Sequence, residues 1–153
     1  MNMTQHVLIL FIPIIVVIIT QMVKIALEFP QHGLQWKRFN SYGGMPSAHT
    51  AGLVSLDLVV GLLAGFTSPL FAVTTFIALV FIRDAIGIRW SLGFHAKVLN
   101  RLIHTLPEEE RQHLKLPNHL EERLGHRMIE VIIGALFGII CTFLLYGLLI
   151  LLF

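Results

Sequence analysis

The hydrophobic pattern of the chain predicts four membrane-spanning helices. Each of four apolar runs is long enough to cross a bilayer core of about 30 Å at about 1.5 Å per helical residue. The runs lie at about 7–28, 46–65, 69–88 and 128–153. Short turns or polar segments separate them, and no internal repeat is convincing. The pattern therefore predicts an all-α integral membrane bundle that forms one domain, residues 1–153.

Residues 91–125 follow a different pattern, which predicts a helix on the membrane surface and then a loop. Apolar side chains recur there at helical spacing, at Leu92, Ala96, Leu99, Ile103 and Leu106. Lysine, asparagine, arginine and histidine occupy positions between them. This arrangement is typical of an amphipathic helix at the lipid interface. The charged stretch 107–122 is predicted to be solvated.

The composition of the chain supports a membrane protein and argues against a nucleic-acid-binding protein. Hydrophobic residues make up 56% of the 153 residues, charged residues 13%, and the mean hydropathy is +0.79. A net charge of +2 would suit nucleic acid, but the basic residues form no run with interleaved aromatic residues, so no nucleic-acid partner is expected.

Cys141 is the only cysteine, which excludes an intrachain disulfide. The first run has no preceding Lys or Arg and is expected to be a retained span.

The positive charges predict the orientation. All eleven Lys and Arg residues lie in or beside the loops after the first and third runs, which share one side of a four-span bundle. Short loops rich in positive charge stay in the cytoplasm. We therefore expect loop 91–125 to be cytoplasmic and both termini to lie across the membrane.

The start of the second run, Gly43–His49, has the features of an anion site. The glycine pair, which includes Gly44, lets backbone N–H groups converge, and Pro46 suits the first position of a helix. Free N–H groups and the helix dipole at such an end favour phosphate. A plain turn before the span is the alternative, but turns rarely need a histidine. Ser47 and His49 are therefore predicted to lie at the site.

The start of the last run carries a histidine and a carboxylate. His126 and Glu130 are four residues apart, so on a helix they share a face and the carboxylate can hold one imidazole nitrogen. Such a partner raises the basicity of the other nitrogen and suits a nucleophile. The alternative is an interfacial histidine beside a solvated glutamate. An unpaired Glu130 inside an apolar run would be costly, which favours the functional interpretation.

Alternating span directions bring three polar clusters to one membrane face. They are Pro46–His49, Asp84–Arg89 and His126–Glu130. A second interpretation of the same face is a divalent metal site, with ligands from Asp84, His95, His126 and Glu130. A third is a protein that binds or transports a lipid phosphate without cleaving it.

Two features within the spans have alternative interpretations. Asp57, near the middle of the second run, is predicted either to be functional or to bond to a neighbouring helix. Gly134 and Gly138 form a small-residue face on the last run. Such a face suits close helix packing, either within the chain or in a homodimer.

Several of these segments resemble a known superfamily. Pro46-Ser47-Ala48-His49 resembles the Pro-Ser-Gly-His motif of the type 2 phosphatidic acid phosphatase and vanadium haloperoxidase superfamily. His126 and Glu130 resemble its His-x-x-x-Asp motif. The similarity is greatest to a divergent branch whose further segments match Gly44, Asp84, Gly87, Arg89 and the stretch from Gly93 to Asn100. It extends from Lys24 to Gly138.

The resemblance implies a role for each matched residue. His126 would attack phosphorus to give a phosphohistidine, Glu130 would orient it, and His49 would protonate the leaving oxygen. Ser47 and nearby amides, including that of Gly44, would bind phosphate oxygens. No metal or other cofactor is implied.

The chain lacks two basic elements of the main superfamily. Gln31 and Leu120 stand where arginines would be expected. Phosphoryl transfer needs cations around the transferring group. The candidate replacements are Lys24, Arg38, Arg89 and Arg123. Of these Arg89 is favoured, with Asp84 and His95 as supporting residues.

The resemblance implies that a protein embedded in the bacterial inner membrane hydrolyses a lipid or isoprenoid phosphate or diphosphate. The substrate would be the main partner, and a homodimer is a further expectation.

Overall fold

The computed structural model describes residues 3–32, 44–117, 119–122 and 125–152. Within these ranges the chain forms only helices. They are α1 (Met3–His32), α2 (Ala48–Ala64), α3 (Pro69–Ile86), α4 (Ile88–Thr105), α5 (Glu108–His113) and α6 (Met128–Leu152). The predicted all-helical class is confirmed.

Helix α2 occupies the centre of the bundle and packs against α1, α3 and α6. Its buried positions are mostly small, among them Ala48, Ala51, Gly52 and Ser55. Small side chains let neighbouring helix backbones approach closely, which is how helices associate in lipid.

The long helices alternate in direction along the chain, and four helix ends meet on one side. The Ser47 backbone N–H donates to the Glu130 carbonyl at 3.2 Å, which joins the starts of α2 and α6. The His126 N–H donates to the Ala85 carbonyl at 3.2 Å, which adds the end of α3. Gly44 lies against the last third of α1. The polar clusters of the sequence therefore share one end of the bundle.

The apolar core lies between α1, α2 and α6 towards the other end. Its buried members are Ile12, Val16, Ala51 and Val59, packed against partly buried Leu63, Cys141, Leu145 and Tyr146 among others. Many of the large apolar side chains of α1, α3 and α6 face outwards instead. This outward distribution suits a bundle that is surrounded by lipid.

Three helical stretches of the described chain are long and apolar enough to cross a membrane. They are His6–Phe29, Pro69–Thr105 and Met128–Leu151. Helix α2 is apolar but has only 17 residues. The stretch Pro69–Thr105 joins α3 and α4; its 37 residues would extend about 55 Å, well beyond a core of about 30 Å. Helix α3 alone spans about 27 Å, so α4 continues beyond the core.

The predicted helix starts are right for α3 and wrong for α2. Ser68 caps α3 and Pro69 takes its first turn, as the sequence indicates. Pro46, however, is not the first residue of α2. It precedes the N-cap Ser47, whose Oγ accepts the Thr50 N–H at 3.4 Å, and the Met45–Pro46 peptide bond is cis. The serine side chain supplies the acceptor that a helix start needs, which moves the boundary two residues along.

Helix α4 begins earlier than predicted and turns a different set of side chains towards the bundle. It starts at Ile88, directly after a break at Gly87. Its buried stripe is Gly93, Ala96, Asn100 and Ile103. Leu92 and Leu99, which were predicted to share the apolar face with Ala96 and Ile103, are about half exposed. Asn100 is buried because its amide has hydrogen-bond partners in the segment before α6.

Asp57 bonds to the neighbouring helix, which is one of the two predicted alternatives. Its Oδ1 accepts hydrogen bonds from the Thr74 and Thr75 hydroxyls of α3, at 2.7 and 2.9 Å. These contacts satisfy a carboxylate that would be costly if left unpaired in lipid.

The glycines of α6 pack within the chain. A Cβ at Gly134 would lie 2.6 Å from the Ser47 carbonyl oxygen, and one at Gly138 would lie 2.5 Å from the Ala51 carbonyl oxygen. Both glycines therefore hold α6 against α2. This face is closed to a dimer partner.

We predict that Gly138→Ala destabilises the bundle, because its methyl group would collide with the α2 backbone. Overpacking of this kind costs about 1–3 kcal/mol. Gly147→Ala is the matched control, since a Cβ there meets nothing within 4 Å. Thermal unfolding in detergent should give a lower Tm for the first variant only. Equal Tm values for the two variants would contradict the packing.

Candidate functional site

Polar side chains from several helices are buried together at one end of the bundle. Their exposed fractions are 5% for Lys24, 1% for Ser47, 9% for His126 and 4% for Glu130. Buried polar and charged groups are costly unless they are paired or used. Their convergence identifies this end of the bundle as the candidate site.

The Ser47 side chain caps the start of α2. Its hydroxyl accepts the Thr50 N–H and shares a 3.0 Å hydrogen bond with the Thr50 hydroxyl. The residue predicted to bind phosphate therefore caps the helix whose N-terminus opens at the site.

Gly44 brings the loop before α2 against α1. Its φ of +97° is one that L side chains rarely adopt. An added Cβ would lie 2.5 Å from Oε1 of Glu28 and 2.7 Å from Cε of Lys24. A side chain at this position would therefore push the loop away from the Lys24 ammonium group.

Glu130 ties this loop to the start of α6. Its Oε2 accepts the Gly44 N–H and the Arg127 N–H, both at 3.2 Å. A carboxylate that accepts two backbone N–H groups is well compensated for its burial.

His126 precedes α6, and its imidazole lies inside the cluster. Its Nδ1 is buried and has no hydrogen-bond partner among the described residues. Glu130 therefore does not hold this nitrogen. The spacing rule for one helix does not apply, because His126 lies before the first helical residue, Met128.

His49 faces His126 across the site. It is exposed in the first turn of α2, and the two ring centroids are 6.5 Å apart with the rings nearly perpendicular. The structure therefore brings the two predicted histidines together at one end of the bundle. The two histidines lie 77 residues apart in sequence and come from different helix starts.

Arg89 and Asp84 form an ion pair at the junction of α3 and α4. The Arg89 Nε to Asp84 Oδ2 distance is 2.7 Å, and both side chains are partly exposed. The pair orients the guanidinium beside the cluster, as their shared segment suggested.

The surroundings of His126 favour its neutral form. Burial is the largest effect and lowers the pKa of His126 below the ordinary 6.5. The charge of Glu130 opposes this shift and raises the pKa. His49, Lys24 and Arg89 each lower it further. A neutral imidazole is the form that can act as a nucleophile.

His95, which was predicted to support the site, is not part of the cluster. His95 is exposed and lines a separate cavity of about 480 Å³ with Arg83 and Ser91. Among the residues that the structure describes, no three His, Cys, Asp or Glu side chains are grouped so as to hold a metal ion. Arg38 and Arg123 lie outside the described residues.

A cavity of about 390 Å³ adjoins the cluster at Glu130. Trp90 and Phe94, stacked with centroids 6.3 Å apart, form part of its wall, and Lys97 and Arg127 add positive charge. This aromatic pair was not predicted from the sequence. Its spacing of four residues on one helix was the available signal.

We predict that the reactivity of His126 towards diethyl pyrocarbonate, followed by mass spectrometry, has a pH midpoint below 6.5. Glu130→Gln should lower the midpoint further, because the carboxylate that favours the imidazolium is gone. Glu108→Gln on the exposed helix α5 is the control and should change nothing. A midpoint that rises in Glu130→Gln would contradict the electrostatic description.

Comparison with known proteins identifies the family to which the chain is similar. A family model described as "Divergent PAP2 family" matches residues 5–141. The chain is 35% identical over 138 residues to a protein of Bacillus subtilis (strain 168) named "Uncharacterized membrane protein YuiD". That alignment covers 84% of this chain and 87% of the relative. No solved structure matches the chain.

Proposed function

The chain belongs to the divergent PAP2 family, and we propose that it hydrolyses a lipid or isoprenoid phosphate or diphosphate at the membrane. It is an integral membrane protein, so a substrate anchored in the same bilayer can reach a site at the end of the bundle. We include α2 as a fourth membrane-spanning helix, because it is apolar and packs against α1, α3 and α6.

The observation that carries the proposal is the pair of facing imidazoles. His126 and His49 lie edge to face beside the α2 N-terminus, with ring centroids 6.5 Å apart. One can act on phosphorus while the other acts on the leaving oxygen. Lys24 and Arg89 act electrostatically on His126, so both are close enough to favour an anion there.

The proposed reaction has two steps. In the first, neutral His126 attacks phosphorus, a nitrogen–phosphorus bond forms, and the phosphorus–oxygen bond to the alcohol or phosphate leaving group breaks. His49 gives its proton to that oxygen. In the second, His49 takes a proton from water, which attacks the phosphohistidine and releases phosphate and His126. Each step leaves the charges balanced.

Lys24, Arg89 and the α2 N-terminus would stabilise the negative charge on the transferring group. Glu130 is assigned an electrostatic role. Its carboxylate favours the positive charge that develops on His126 during attack, while its hydrogen bonds hold Gly44 in place.

A second candidate function is binding of a lipid phosphate without cleavage. The unpartnered Nδ1 of His126 favours this alternative, because a nucleophilic histidine usually has its second nitrogen held. The metal-dependent alternative needs Asp84 and His95 to join His126 and Glu130. The homodimer remains a prediction.

We predict that His126→Ala abolishes phosphate release from phosphatidic acid and from a polyprenyl diphosphate in mixed micelles, because the covalent step is lost. His126→Gln repeats the test with the buried volume nearly retained. Glu130→Gln should slow phosphate release, because the negative charge that favours the positive charge developing on His126 is lost. His104→Ala, an exposed histidine of α4, is the matched control.

An unchanged rate in His126→Ala at equal protein level would rule out the phosphohistidine. Activity that chelation removes would favour the metal-dependent site. Saturable binding of the same lipids to the wild-type chain with no phosphate released would favour the binding function.

We further propose that the site faces the cytoplasm, since the positive loops share its side. In a Cys141→Ser background, a cysteine at the exposed Gln112 of α5 should react with a membrane-impermeant thiol reagent only after the membrane is opened. A cysteine at Thr67, in the turn between α2 and α3, should react in sealed cells. The reverse pattern would place the site outside.

A further inference from the structure

Asn100 is a buried polar residue of α4 that the proposed reaction does not use. It is 4% exposed and lies in the stripe that α4 turns towards the bundle. Its partners all lie in the segment before α6, which we call the strap, residues 119–122 and 125–127. An amide side chain buried in this way needs such partners.

The Asn100 amide binds the strap in both directions. Its Oδ1 accepts the Leu120 N–H at 2.9 Å, and its Nδ2 donates to the Leu120 carbonyl at 2.9 Å. Nδ2 also lies 2.8 Å from Oε1 of Glu122 and 3.3 Å from Nδ1 of His119. The paired bonds to one residue's N–H and C=O fix both the position and the register of the strap.

The other end of the strap is also fastened to the α3–α4 junction. A Cβ at Gly125 would collide with the backbone of Trp90, so the strap lies directly on the start of α4. The next residue, His126, donates its backbone N–H to the Ala85 carbonyl. The candidate nucleophile is therefore placed by the strap and not by α6, which begins two residues later.

We propose that Asn100 is a positioning residue, which holds the strap on α4 and thereby sets the place of the His126 imidazole opposite His49. The effect of Asn100 on catalysis rests on the function proposed above. The placement of His126 is a separate property and can be measured without turnover.

The test uses the purified full chain with Asn100→Asp. This variant keeps the side-chain size and the acceptor for the Leu120 N–H, but removes both donated bonds and places a carboxylate beside Glu122. Adding Glu122→Gln removes the repulsion between the two carboxylates and offers the new one an amide donor. Arg101→Gln, the exposed neighbour on α4, is the control, and Asn100→Ser replaces Asn100→Asp if the latter does not fold.

The readout is the rate at which His126 reacts with diethyl pyrocarbonate, followed against pH by mass spectrometry. The charged and titratable groups that act on His126 are Lys24 of α1, His49 of α2, Arg89 of α4 and Glu130 of α6. None of them changes in these variants, but the new carboxylate of Asn100→Asp would itself raise the pKa of His126, so the uncharged Asn100→Ser is measured as well. Burial is the largest cause of the lowered pKa of His126, so release of the strap should raise the midpoint and the rate.

We expect Asn100→Asp and Asn100→Ser to speed the modification and raise its midpoint, the double variant to reverse both changes in part, and Arg101→Gln to match wild type. Where phosphate release is measurable, kcat should fall by about 100-fold with little change in KM, as for a misplaced reacting group. A lower Tm with an unchanged His126 profile would show a purely structural residue and overturn the proposal. Wild type without turnover would refute the proposed function only, since the His126 profile still decides the placement.

Discussion

The close contact between α2 and α6 is the constraint on which the site depends. Gly134 and Gly138 let the α6 backbone lie directly on the backbone at Ser47 and Ala51. Helices in lipid gain little from hydrophobic burial against each other, so near approach and polar bonds must hold them together. Because the contact fixes the relative height of the two helices, their N-termini end at one level. The facing of His49 and His126 is therefore set by small residues one or two turns deeper in the bundle.

This arrangement also explains how the protein tolerates charge at the edge of an apolar bundle. Glu130 is buried, but two backbone N–H groups point at its Oε2. Oδ1 of Asp57 similarly accepts hydrogen bonds from two threonine hydroxyls of α3. Each carboxylate therefore has donors from another helix or loop, and the bonds that compensate its burial also connect elements. Polar residues in this bundle act as links between helices as well as candidates for chemistry.

Local patterns in the sequence predict the helices and the side of the bundle on which the polar clusters meet. Run lengths give the long helices, Ser68 and Pro69 mark the start of α3, and alternation of direction gives the shared end. They do not predict partners that are distant in sequence. Glu130 bonds to Gly44, 86 residues away, instead of holding Nδ1 of His126. Asn100 is buried for the same reason, since the partner that satisfies it lies 20 residues further along.

The positive charge of the site also comes from residues that are distant in sequence from His126. The segments in which related phosphatases would be expected to carry arginines have Gln31 and Leu120 here. The cations that act on His126 instead come from α1 and from the start of α4, as Lys24 and Arg89. Asp84 forms an ion pair with Arg89, and Lys24 is buried against the Gly44 loop, with Oε1 of Glu28 beside the same glycine. Burial is the largest cause of the lowered pKa of His126, and Lys24 and Arg89 lower it further. The cations that would favour a phosphate therefore also favour the neutral form of histidine that can attack it.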